Sequence, residues 1–115
     1  MPSREPMSSV DRSWLIMDSP TNRTIINGFW VFDQPAEYER VLAVLAERLL
    51  IYDRFRQRIV ETTGPLGRTF WETDPHFDIR SHLHHIGLPS PGNKAALQAL
   101  MAELIVQPLD RSRPL

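Results

Sequence analysis

The chain has 115 residues, room for one domain. Its 42% apolar and 23% charged residues are the balance of an ordinary globular chain. Thirteen basic against 14 acidic residues leave a net charge of −1, which argues against nucleic acid as the main partner, since phosphate binding draws on a basic excess.

No cysteine is present, so disulfides, thiol chemistry and cysteine-ligated zinc are excluded. No stretch reaches the roughly 18 apolar residues of a membrane span. The longest apolar-rich run, Val41 to Tyr52, is interrupted by Glu47 and Arg48. The opening MPSREPMSSVDR has no apolar h-region of a secretory signal. The expected location is the cytoplasm, with peripheral contact at a membrane or lipid-inclusion surface left open.

In chain order, residues 1–9 are polar with two prolines and are expected to be disordered. Asp11 or Ser13 can cap a brief helix carrying Trp14, Leu15 and Met17, which Pro20 ends. Thr24 to Phe32 (TIINGFWVF) is rich in β-branched and aromatic residues, apolar on both alternations. That pattern predicts a strand buried on both faces, with a bulge at Asn27-Gly28. A helix is expected from about Ala36 to Tyr52, because Tyr38, Val41, Leu42, Leu45, Leu49 and Tyr52 recur at spacings of three and four. Pro35 suits its first turn.

Arg58–Glu61 and Thr69–Thr73 read as two short strands joined by TTGPLGR, with Gly64-Pro65 and Gly67 as turn signals. Phe77 to Leu88 reads as extended, ended by PSPG. A second helix runs from Lys94 to Val106, capped by Asn93, with Leu97, Leu100, Met101, Leu104 and Ile105 on its buried face and Pro108 beyond it. The order is β-α-β-β-β-α, an α+β fold with a mixed sheet and two main helices. The stripe around Leu45 and Leu49 is expected to pack on the sheet containing Thr24–Phe32.

Three segments invite a chemical reading. In DRFRQR, extended geometry would put Arg54, Arg56 and Arg58 on one side, where three guanidiniums could grip a phosphate or carboxylate such as those of coenzyme A. The plainer reading is a solvated face paired to Glu61, Glu72 or Asp74. In SHLHH, strand geometry would put His82 and His84 on one face, two ligands of a zinc site with Asp78 or His76 near in sequence. No third ligand is marked, and no metal site is assigned. Trp30, Phe32, Phe70 and Trp71 are read as core, though such residues also suit an acyl pocket. No Gly-rich phosphate loop, GxSxG elbow or paired-carboxylate spacing is present.

Four segments in order carry a resemblance. SSVDRSWLIMDS looks like an "SPxDxxFL" start. RFRQR looks like "PRFRQR", with Asp53 where proline is usual. FWETDPHFDIRSHLHHIGLPSPG looks like "W…DpxFDlxxHvrhxxLPxPG", and QPLDRSRPL looks like "PLDRsrPLW" without its tryptophan. By these the chain resembles the N-terminal part of the bacterial wax ester synthase/acyl-CoA:diacylglycerol acyltransferase family.

The resemblance implies the first half of a chloramphenicol-acetyltransferase-like fold, two related α+β halves around a tunnel. It implies an O-acyltransferase making wax esters or triacylglycerol, with acyl-CoA as substrate and no bound cofactor. The partners it implies are acyl-CoA, a long-chain alcohol or diacylglycerol, and a missing C-terminal half. It does not imply nucleic acid. The family's HHxxxDG motif, whose second histidine acts as general base, does not occur. After His84-His85, Pro89 and Ser90 stand where Asp and Gly are needed. No catalytic residue is therefore assigned, and the chain is expected to be an inactive fragment. Pro108, Leu109, Asp110, Arg111, Arg113 and Pro114 are carried over as structural motif residues. A charge-paired turn at Asp110, Arg111 and Arg113 would dock onto the sheet, with the end after Pro108 fraying for want of its continuation. Two alternatives remain: a stand-alone non-catalytic domain binding lipid or a partner chain, and a condensation-type domain acting on carrier-bound acyl groups.

Overall fold

A computed structural model describes residues 3–115. Its elements are β1 (Arg4–Pro6), α1 (Ser9–Met17), α2 (Tyr38–Arg48), β2 (Gln57–Glu61), β3 (Thr69–Thr73) and α3 (Lys94–Val106), with 3-10 turns at Asp53–Arg56 and Ile79–Ser81. The fold is small α+β, as expected. The sheet is antiparallel throughout rather than mixed, in the order β1-β3-β2, and the two main helices and the brief first one all form.

The hairpin β2–β3 forms where expected. Thr62 N–H donates to the Arg68 carbonyl at 2.9 Å, and Arg68 N–H donates to the Thr62 hydroxyl at 2.8 Å. Two glycines make the turn possible. Gly64 has φ +108°, and a Cβ at Gly67 would lie 2.7 Å from the Thr62 carbonyl oxygen.

The third strand is unexpected. Residues 1–9 do not form a wholly disordered end: Arg4, Glu5 and Pro6 pair with Glu72, Trp71 and Phe70, while residues 1 and 2 lie outside the described part. Two charges and a proline hide this strand from any apolar alternation. Proline is tolerated there because β1 is an edge strand. Ser8, rather than Asp11 or Ser13, caps α1, its hydroxyl accepting from Asp11 N–H at 3.1 Å.

Thr24–Phe32 is not a strand. The segment is irregular, and among the described residues no strand pairs with it. Ile26, Trp30 and Val31 are 96%, 79% and 91% exposed. Phe77 to Leu88 is not a strand either, since the turn Ile79–Ser81 interrupts it.

α2 is shorter than the apolar pattern suggested. Glu37 stays extended at its start, and at its end Leu50 N–H reaches back to the Leu45 carbonyl at 3.3 Å. The helix does not lie on the sheet. Its Leu45 and Leu49 meet Phe55, Phe77, Ile79 and Leu83 around a small cavity of about 120 Å³. The Tyr38 hydroxyl donates to the Leu83 carbonyl at 2.9 Å, and the Arg80 guanidinium grips Glu39 at 3.0 and 2.9 Å.

Asn93 caps α3 by accepting from Ala96 N–H at 3.0 Å. The helix bounds match the sequence reading. Its expected buried face is not buried: Leu97, Leu104 and Ile105 are exposed, and Leu100 and Met101 only half-buried. Across the described residues Leu42 and Pro114 are the buried apolar side chains, with Gln57, Thr69 and Glu72 buried in the sheet. The accessible surface is 9428 Å², whereas a compact monomer of this size exposes about 6,400 Å². The radius of gyration is 17.1 Å, against about 13 Å for a closed domain.

Candidate functional site

The two faces of the hairpin differ in chemistry. Side chains alternate along β3, so Phe70 and Glu72 share one face and Trp71 the other. Glu72 sits on the central strand between two cross-strand arginines. Arg4 Nε donates to it at 2.9 Å and Arg58 Nη2 at 2.9 Å. The Arg58 and then the Arg4 hydrogen bonds hold its carboxyl below the usual range.

The opposite face opens a groove of about 360 Å³. Trp71 and Ile59 form its floor, Trp14 and Leu15 of α1 one wall, and Ile25 and Leu109 part of the rest. Asp18 and Arg111 stand among its polar lining residues. Asp18 accepts from Thr24 N–H at 2.9 Å, from Arg23 at 3.1 Å and from Arg111 at 3.0 Å. The Thr24 hydrogen bond is the largest cause lowering its pKa, followed by the two guanidiniums.

Arg111 also donates to the Leu15 carbonyl at 3.2 Å, capping the open end of α1. Arg113 donates to the Ser81 carbonyl at 2.9 Å, and Asp110 accepts from the Ser112 N–H and hydroxyl at 3.0 and 2.6 Å. Pro114 is buried. These contacts tie Pro108–Pro114 to the rest of the chain. The segment bridges the end of α1 to the Ile79–Ser81 turn, and its Leu109 and Arg111 line the groove floored by Trp71 and Ile59 of the sheet. Arginine reaches these carbonyls and Asp18 together because its planar fork carries several donors.

Arg54, Arg56 and Arg58 are not brought together. DRFR folds as a 3-10 turn, so the alternation expected of a strand does not hold. Arg54 pairs with Glu5 at 2.7 Å and stacks on Trp71 at 4.3 Å, on the groove face. Arg58 pairs with Glu72 on the other face, and Arg56 pairs with Asp53 of its own turn. Each guanidinium has its own carboxylate, and of the three pairings only that of Arg58 with Glu72 is among those the sequence offered.

His82 and His85 pack on different rings. His82 stacks on Phe77 at 5.3 Å, and burial, then the Arg113 charge, lowers its pKa. His85 stacks on Tyr38 at 6.2 Å. Among the described residues no three His, Asp or Glu side chains gather as a metal-binding group, and no helix is long and apolar enough to cross a membrane. Phe70 and Trp71 lie in the hairpin, only half-buried, while Trp30 and Phe32 are exposed rather than core.

Residues 7–115 match the model of the wax ester synthase/diacylglycerol acyltransferase catalytic domain. The chain belongs to this family. It is 33% identical over 112 residues to a Mycobacterium tuberculosis protein named "Probable diacyglycerol O-acyltransferase tgs3", covering 95% of this chain and 41% of that relative. It is 42% identical over 91 residues to one named "Probable diacyglycerol O-acyltransferase tgs1" from the same organism, covering 78% of this chain and 20% of that relative. The chain thus spans less than half the length of either relative. No solved structure is significantly similar to it.

Of the motif residues in this member of the wax ester synthase/diacylglycerol acyltransferase family, Arg111 and Arg113 tie two distant turns, and Leu109 lines the groove. Sequence reasoning missed Asp18, the acceptor on the groove face, whereas Glu72 is one of the carboxylates the plainer reading of DRFRQR names. Asp18 had a faint signal, a carboxylate just before the Ser19-Pro20 break. The second arginine on Glu72, Arg4, had no signal until β1 was paired.

Proposed function

We propose that the chain forms the first part of an acyl-CoA-dependent O-acyltransferase that makes triacylglycerol, wax esters or both. In that reading it is the front of the first half of a chloramphenicol-acetyltransferase-like fold. The observation that carries the reading is the family match over residues 7–115. The apolar groove between α1 and the Trp71 face supports it, since an aliphatic chain gains from leaving water for such a lining. In this reading the groove shelters apolar substrate, while the general base comes from an HHxxxDG motif outside these 115 residues.

The test uses two proteins: the chain alone, and a chimera in which it replaces the matched 112 residues of the 33%-identical relative. Each is given acyl-CoA with diacylglycerol or a long-chain alcohol. The chain alone should release no coenzyme A above background, and the chimera should release it with an ester product. A chimera that unfolds cooperatively yet transfers no acyl group refutes the reading.

A further inference from the structure

The segment Thr24–Phe32 combines three properties. Its nine residues carry no charge and are apolar on both alternations. Among the described residues its backbone pairs with no strand. Thr24 and Ile25 are half-buried at the groove, but from Ile26 on the side chains stand in water, Ile26 and Val31 almost completely. A sequence apolar on both alternations fits an interior strand covered on both faces. Here it has neither ladder nor cover, and at its end Phe32 runs on to the open apolar flank of α2 at Val41 and Val44.

We propose that Thr24–Phe32 is a docking strand, which enters as an interior strand a sheet carried by the part of an acyltransferase domain outside residues 7–115. This rests on the function proposed above. The relatives have 59% and 80% of their length outside the matched portion (100 − 41 and 100 − 20), ample for a sheet and its covering layers. The surplus of exposed surface points the same way, since it exceeds that of a compact chain by about 3,000 Å². That is more than a standard protein interface removes.

The chemistry disfavours other occupants. A lipid surface would take the side chains, but the row of free N–H and C=O groups would lose water without gaining partners, a cost of several kcal/mol per group. A second copy could lend one strand but has the same bare faces, so each copy would stay half covered. A strand edge with an apolar layer on either side satisfies backbone and side chains together.

Amide exchange decides the matter, on the isolated chain and on the chimera. In the isolated chain the amides of Ile25–Phe32 should exchange fast. In the chimera they should slow by about a hundredfold or more, as in a cooperative core strand. Val31→Pro deletes one N–H. It should leave the unfolding temperature of the isolated chain unchanged and lower that of the chimera. Fast exchange of Ile25–Phe32 in a cooperatively folded chimera overturns the proposal, even if that chimera transfers acyl groups. Slow exchange without acyl transfer upholds the docking strand and sinks the function. Protection of the segment in the isolated chain, with a dimer in solution, assigns it to a second copy and also overturns the proposal.

Discussion

Leu42 should outweigh every other position on α2. It is 7% exposed, and Leu45 and Leu49 are only half-buried. Leu42→Ala removes three carbons from a buried site, about 2.4 kcal/mol at 0.8 kcal/mol per methylene. The cavity contribution should be small, because half-exposed neighbours can settle into the space, placing the loss near the low end of the 2–5 kcal/mol range. That corresponds to a fall of about 10–15 °C in unfolding temperature for a chain of this size. Val44 is 45% exposed, so Val44→Ala should cost less than about 1 kcal/mol. Glu39→Ala should be nearly silent, since the exposed Glu39–Arg80 pair is screened by water. Urea titration of the three variants gives the ranking. Equal losses for Leu42→Ala and Val44→Ala, or a larger loss for Leu45→Ala than for Leu42→Ala, would refute the packing of α2 described here.

Two further outcomes test the charged contacts. Glu72 has a folded pKa below its ordinary 4.5, so its contribution is present above about pH 4.5 and is lost as pH falls below that. Glu72→Gln should therefore be less stable than the parent at pH 7, with the difference shrinking in acid, and a pH-independent difference would contradict the assignment. Arg111→Ala removes the donor shared by Asp18 and the Leu15 carbonyl. It should speed amide exchange at Leu109–Arg113 while leaving the β2–β3 hairpin protected, whereas unchanged exchange at Leu109–Arg113 would show that the segment is held by other contacts.

Local signals were legible where the local chain decides. Asn93 and Pro108 bracketed α3 correctly, and Gly64 and Gly67 marked a turn whose backbone needs them. The family was legible in four spaced segments, none of which depends on knowing the fold. The failures share one cause: they hinge on partners distant in sequence. β1 exists because β3 offers it an edge, not because Arg4–Pro6 favours extended structure. Thr24–Phe32 has the composition of a strand and is none, because a strand is a pairing and among the described residues none pairs with it. The arginine trio failed differently. A 3-10 turn at Asp53–Arg56 broke the period of two and left Arg54 to Glu5, 49 residues away in sequence (54 − 5), while Arg58 met Glu72 as the plainer reading allowed.

The same contrast governs what can cover the bare surface. The charges that shape the fold already answer one another: Asp18 with Arg23 and Arg111, Glu72 with Arg4 and Arg58, Glu39 with Arg80. The apolar groups do not. α3 is about 20 Å long at 1.5 Å per residue and has Lys94, Gln98 and Glu103 as its only polar side chains. A helix apolar nearly all round belongs inside a larger core. With Thr24–Phe32 it makes two elements that each need cover on more than one side, so a single flat contact cannot satisfy both. The cover must envelop them, and burial of apolar area must drive it. Its signatures would be a large negative heat-capacity change and little dependence on salt. Direction would come from the backbone of Thr24–Phe32 alone, since pairing along a strand fixes register and apolar contact along α3 does not.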